Sequence, residues 1–271
     1  MEKVRYIYNE EVTMTVNIKE VLNNNLVGFA DFLKYIKKEN PDSINAYIEE
    51  IISQCDTEVD YGISIDNDDE IFQKNSLLLN KSINKILSLM KYSKYQKEPI
   101  DTKITVNVVD LVKTYTGFDY IQAISLLRIF PKQEAIDFMK EYISQYIKSR
   151  NNPDKYYNNL KDLLEYFKNT NKIWQTHDGT LMMVNGNKMI LKVNKCRWAE
   201  ELLNQGFDQE LCFSMMCYQD LVSVKNYNPN FTLTRTKTLM QGGEYCDFCY
   251  HDVDKDSDTT HPPTEFWNGI D

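Results

Sequence analysis

The sequence predicts an α+β protein: a helical N-terminal region, then an antiparallel four-stranded sheet in the order β-β-α-α-β-β, packed on helices. Three observations carry this. Apolar residues recur at three-to-four spacing in GFADFLKYIKK (28–38) and IFQKNSLLLNKSINKILSLMKY (71–92), the period of a helix with one buried face. An Asn-Gly-Asn turn at 185–187 sits between two extended apolar runs, and an Asn-Gly pair supplies the positive φ angles of a tight hairpin. Two further runs, FTLTRTKTL (231–239) and EYCDFCYHDV (244–253), are rich in β-branched or aromatic residues and are joined by a short turn.

Taken in order, residues 1–98 read as a helical extension. The acidic run DNDDE (66–70) is a linker or a helix N-terminus, and the polar MKYSKYQKEP (90–99) ends in proline as a boundary would. Residues 104–169 are again helical: Pro131 opens one helix, tolerated in the first turn, and Asn151-Asn152-Pro153 breaks it before Asp154 caps the next. Strands are expected at 180–185, 188–194, 231–239 and 245–253, with helices at 196–204 and 208–224 between the hairpins. The domains are then 1–98, 99–255 and a tail, 256–271, too poor in apolar residues to order itself. No internal repeat stands out.

A chain of 271 residues can bury a core without staples. Its net charge of −9 lacks the basic footprint of a nucleic-acid binder, although an acidic protein can still hold an anion locally. No run of about 18 apolar residues is present, so no membrane span is expected. The N-terminus lacks the apolar core of a signal peptide, and the six cysteines are expected as reduced thiols in a cytoplasm.

Chemistry concentrates in RTKTLMQGGEYCDFCYHD (235–252). Its C-x-x-C spacing suggests half a zinc site, but in a strand residues three apart face opposite sides, and no second ligand pair has the spacing of a finger. No structural metal is expected. Strand alternation gives Cys246, Phe248 and Tyr250 a core face, and gives Asp247, Cys249 and His251 a second face, read either as solvent-exposed or as a nucleophile set. Arg235 shares a register with Phe231, Leu233 and Leu239. An arginine among apolar positions either snorkels at the sheet edge or pairs with an anion, for which its forked donors suit a carboxylate.

The stretch CRWAEELLNQGFDQELCFSMMCYQDLVSVKNYNPNFTLTRTKTLMQGGEYCDF (196–248) resembles the L-2-amino-thiazoline-4-carboxylic acid hydrolase family. The matching positions are Cys196, Cys217 with Asp220, Asn228-Pro229, Arg235 with Thr236, Gly242 and Cys246-Asp247-Phe248. The resemblance covers about 175–253, is faint over the helices from about 104 and does not reach 1–98. Cys249 stands where the family has arginine, which argues against Cys249 as an inherited catalytic group. The resemblance implies a hydrolase acting on a carbon–nitrogen bond of a small cyclic amidine of the thiazoline type, with no cofactor and a carboxylate-bearing substrate.

An amidine carbon is an electrophile suited to a thiolate. Cys217 lies one helical turn from Asp220, which can accept a proton or hold an amidinium nitrogen, so these two are the expected nucleophile and partner, with Cys246 second. Cys196 lies near a helix N-terminus, where the dipole favours a thiolate, and with Arg235 and Thr236 is expected to bind substrate. Each cysteine reads equally as a small buried hydrophobe. Two other functions stay open. One is a biosynthetic enzyme doing ring or amide chemistry on a peptide- or carrier-bound substrate. The other is a non-catalytic small-molecule-binding domain of the vinyl-reductase type. Residues 1–98 offer a surface for a protein partner, and a homo-oligomer is open.

Overall fold

The computed structural model describes residues 3–7, 11–65, 67–95, 99–169 and 176–270. Asp66 of the acidic run and residues 96–98 of the expected boundary lie outside these. Its strands are β1 (Lys3–Tyr6), β2 (Thr13–Asn17), β3 (Lys103–Asn107), β4 (His177–Val184), β5 (Lys188–Cys196), β6 (Phe231–Thr234) and β7 (Cys246–Asp252). The chain is α+β, with antiparallel sheets, and divides into two units: residues 11–142, and residues 1–10 with 143–271.

In the first unit, β2 and β3 pair antiparallel with Thr15 opposite Thr105. Each strand ends in Thr-Val-Asn, and each asparagine starts a long helix: Asn17 Oδ1 accepts from Glu20 N at 3.1 Å, and Asn107 Oδ1 from Val109 N at 2.7 Å. This pairing keeps residues on both sides of position 98 in one unit. The helices Ile18–Glu39, Ile44–Gln54, Ser76–Leu89 and Val108–Leu127 enclose a core in which Phe29 meets the rings of Phe72 and Phe118. Tyr47 is fully buried there and donates its hydroxyl to the Gln122 carbonyl at 2.9 Å.

The second unit holds a five-stranded antiparallel sheet in the order β1-β4-β5-β7-β6. The four expected strands are present. The hairpin turn has Asn185 at φ 51° and Gly186 at φ 75°, the geometry that the Asn-Gly pair predicts. The fifth strand, β1, pairs Val4 with Leu181 at the sheet edge. Four residues with no turn signal, whose partner is far away in sequence, leave no local trace. Strand β6 stops at Thr234 rather than running to 239. The Asp247 carboxylate takes the backbone N–H groups of Thr236 (2.9 Å) and Lys237 (2.7 Å), so a side chain replaces the ladder.

One face of the sheet packs Leu181, Leu191, Val193, Cys246 and Tyr250 against Leu160, Leu163, Leu164 and Phe167 of the helix Leu160–Asn169. The other face, read from sequence as exposed, is buried: Cys249 at 0 % and His251 at 1 %. The C-terminal residues cover it. They are not a loose tail: the helix Thr264–Asn268 seats Trp267 at 1 % exposure on Met182, Ile190, Tyr245 and Cys249. Lys192 Nζ, buried on this face, donates to the carbonyls of Trp267 (2.9 Å) and Ile270 (2.7 Å). Apolar content counts side chains, and it misses two large ones placed over a ready-made slot plus a lysine that satisfies the last carbonyls.

This second face gives stability a pH signature. Burial, reinforced by Lys188 and His261, pushes His251 down to about 4 from an ordinary 6.5. The unfolded chain therefore takes up a proton between those values that the native chain refuses. Stability is fully present above about pH 6.5 and declines as pH falls toward about 4. Urea titrations across this range should show that loss, and His251→Asn should flatten it. An unchanged slope in the variant would place the titration elsewhere.

Candidate active site

On the core face of the second unit, Cys196, Cys217, Asp220, Arg235 and Cys246 line one cavity of about 190 Å³, together with His177. Val193, Trp198, Met216 and Phe248 supply apolar walls. Five of the six residues singled out from sequence are thus brought together, and His177 is the one that sequence reasoning missed.

A bulge builds the His177–Cys196 corner. From Val184↔Lys188 to Gly179↔Val193 the β4–β5 pairing is regular, and it shifts between Asp178 and Gly179. The extra residue lies in β5, so His177 stands opposite Cys196 rather than Lys195, and Cys196 returns to the face of Val193. A Cβ on Gly179 would lie 2.3 Å from the Lys192 carbonyl oxygen, so the close approach there requires glycine. His177 Nε2 is 3.3 Å from Cys196 Sγ, and its Nδ1 is 2.8 Å from Thr176 Oγ1. Cys196 is the N-cap residue of the helix Arg197–Asn204, whose first amide donates to the Thr176 carbonyl at 2.8 Å.

A second irregularity builds the Cys217–Asp220 corner. Between the helices Gln209–Cys212 and Tyr218–Tyr227 lies a single π turn, Phe213–Cys217. It turns both Cys217 and Asp220 to the cavity, as their one-turn spacing predicts. The Cys217 carbonyl accepts from Arg235 Nη2 at 2.8 Å, and Arg235 Nη1 donates to Asp220 Oδ2 at 2.8 Å. The Arg235 side chain is 2 % exposed and its guanidinium lies over the rings of Phe248 (4.8 Å) and Phe213 (5.5 Å). The anion beside the arginine is therefore a protein acid, the structural alternative to a substrate carboxylate. Asp220, at 37 % exposure, remains open to the cavity.

The electrostatics rank the thiols. Burial pushes Cys196 up to about 11, while the amides of Trp198 and Ala199 at the helix N-terminus pull it back without completing a capping bond. Burial pushes Cys246 up to about 12, and its sulfur already accepts Leu239 N–H at 3.2 Å. Burial and then the Asp220 carboxylate push Cys217 well above an ordinary thiol. Asp220 is itself raised by burial, against the pull of Arg235 and His177. Cys196 alone of the three combines a hydrogen-bonded imidazole with a helix N-terminus.

Other expectations fall outside the cavity. Thr236 points away from it and gives its hydroxyl to Asp247. Asp247, Cys249 and His251 share the far face as strand alternation requires, but they do not form a reactive set: Asp247 binds the 236–237 backbone, and His251 Nε2 contacts Thr234 Oγ1 at 2.8 Å. Cys246 and Cys249 do lie on opposite faces of β7, and all six cysteines are free. Among the described residues no group of three or more His, Cys, Asp or Glu could hold a metal ion, and no helix is long and apolar enough to cross a membrane. His177 had one signal, its rarity among three histidines. Hairpin arithmetic without the bulge pairs it with Lys195.

Because burial dominates the Cys196 thiol, its alkylation by iodoacetamide should rise about tenfold per pH unit above 7 and level off only near 11. Peptide mapping of labelled protein measures this. A plateau below pH 8 would show a preformed thiolate–imidazolium pair and overturn the burial account.

The L-2-amino-thiazoline-4-carboxylic acid hydrolase family model matches residues 118–250. No curated protein matches the chain. No solved structure matches it either. The matched region contains every residue that lines the cavity, so it is over the candidate site that this chain is similar to the family.

Proposed function

We propose that this protein is a hydrolase of a small cyclic amidine of the 2-amino-thiazoline type, with Cys196 as nucleophile and His177 as its proton partner. The observation that carries this is the 3.3 Å contact between Cys196 Sγ and His177 Nε2 at a helix N-terminus inside the cavity. The nucleophile moves from Cys217 to Cys196 because Asp220, tied to Arg235, opposes a thiolate at Cys217 second only to burial, and at Cys196 only after the helix amides have favoured it. At about 190 Å³ the cavity falls below the roughly 300–1,000 Å³ of drug-sized sites, which suits a single small ring.

In the proposed sequence His177 takes the Cys196 proton as the sulfur attacks the amidine carbon, C2. Asp220 accepts hydrogen bonds from the amidine nitrogens, and Arg235 keeps it in place. The C2–ring sulfur bond breaks, and His177-H⁺ returns the proton to the departing sulfur, leaving an isothiourea on Cys196. Water, deprotonated by His177, then adds to the same carbon. The carbon–Cys196 bond breaks, His177-H⁺ returns the proton taken from water to the departing Cys196 Sγ, and the product is a urea carrying a free thiol. The bond cleaved in the ring is thus carbon–sulfur, and the ring carbon–nitrogen bonds survive.

Turnover of 2-amino-thiazoline-4-carboxylate tests this. His177→Gln should lower kcat by roughly 10²–10⁴-fold and Cys196→Ser by at least as much, with folding intact. Cys217→Ser should retain turnover within about tenfold. Loss in Cys217→Ser with retention in Cys196→Ser would return the nucleophile to Cys217, and retention in both would end the covalent mechanism in favour of a water activated at Asp220.

A further inference from the structure

Behind the cavity, on the far face of the sheet, a polar network joins the C-terminal segment to the strand that carries Arg235. His261 Nε2 lies 3.0 Å from Asp247 Oδ2, and His261 Nδ1 lies 2.9 Å from Thr234 Oγ1. Asp247, 1 % exposed, takes the Thr236 and Lys237 amides on Oδ1 and the Thr236 hydroxyl on Oδ2. Its four contacts therefore run to the backbone just after Arg235 and to the C-terminal segment. The His261 ring stacks on Trp267 at 5.3 Å and 18°, and Trp267 Nε1 donates to the Pro262 carbonyl at 3.0 Å. Residues 258–270 lie beyond the region that matches the hydrolase family, which ends at 250.

We propose that Asp247 is a positioning residue and that His261 is its clamp: through it the C-terminal segment fixes the 235–237 backbone from behind the sheet and so aims Arg235 at Asp220. The alternation of β7 makes this geometry unavoidable, since Cys246 and Phe248 line the cavity while Asp247 between them faces the clamp. An amide in place of the carboxylate sets a donor against the Thr236 hydroxyl and His261, so the network loses its Oδ2 acceptor, the segment after β6 is free to move, and the guanidinium follows it. The inference rests on the cavity being the working site, but its first test does not require turnover.

That test compares Asp247→Asn and His261→Ala with wild type by iodoacetamide labelling resolved to individual cysteines. Both variants should label Cys196 and Cys217 at least fivefold faster at pH 8. The pH of half-maximal Cys196 labelling should move toward an ordinary thiol value as water enters, and Cys55 in the other unit should be unchanged. Ile270→Ala is the control, because it removes apolar packing of the same segment without touching the network. Should Asp247→Asn fail to fold, Thr236→Val removes one donor to the same carboxylate from an exposed position and should act in the same direction. Where 2-amino-thiazoline-4-carboxylate is turned over, the variants should lose kcat/KM at least tenfold and Ile270→Ala should not. Equal labelling in wild type and folded variants, or an equal rise in Ile270→Ala of matched thermal stability, overturns the clamp. Absence of turnover in wild type overturns the hydrolase reading and leaves the labelling result standing.

Discussion

The ion pair between Arg235 and Asp220 is the contact on which the rest of the site depends. It joins an irregular segment after β6 to the helix that follows the π turn, at the point where both enter the cavity. The arginine is almost completely desolvated, between Phe213 and Phe248, while its partner stays open to the cavity. A guanidinium buried this way needs its donors used, and two are: by the carboxylate and by the Cys217 carbonyl. The exposed side of Asp220 is left as a fixed acceptor facing the cavity.

Both corners of the cavity arise where regular structure is interrupted. The bulge in β5 adds one residue, and with it Cys196 comes onto the face of Val193 and opposite His177. The π turn adds one residue in the helix and orients Cys217 and Asp220. Each interruption costs ladder or helix hydrogen bonds, and each is stabilised locally. Gly179 allows the close approach at the bulge, and Arg235 satisfies the carbonyl at the π turn.

These interruptions also set what was legible in the sequence. Period and turn chemistry were enough for the β4–β5 hairpin and for the two faces of β7, since Asn185-Gly186 and strand alternation act through neighbours in the chain, but not for the end of β6, which a side chain from β7 decides. The motif residues Cys196, Cys217, Asp220, Arg235 and Cys246 were legible as one constellation. Their division of labour was not. The Cys196–His177 contact needs a one-residue register shift that no spacing rule contains. The burial of Asp247 and His251 needs the last ten residues, whose composition is polar but whose Trp267 and Ile270 fit a slot made by strands far away in sequence. Strand β1 is invisible for the same reason: its partner β4 lies more than 170 residues along the chain.

The claim that Cys196 attacks the substrate is tested most directly by trapping. Wild type and the slower His177→Gln variant are mixed with 2-amino-thiazoline-4-carboxylate, quenched in acid and read by intact mass and peptide mapping. The account predicts one isothiourea adduct per chain, with the mass of the substrate, on the peptide containing Cys196. An adduct on Cys217 or Cys246, or turnover by wild type with no adduct at any time of quench, would contradict it.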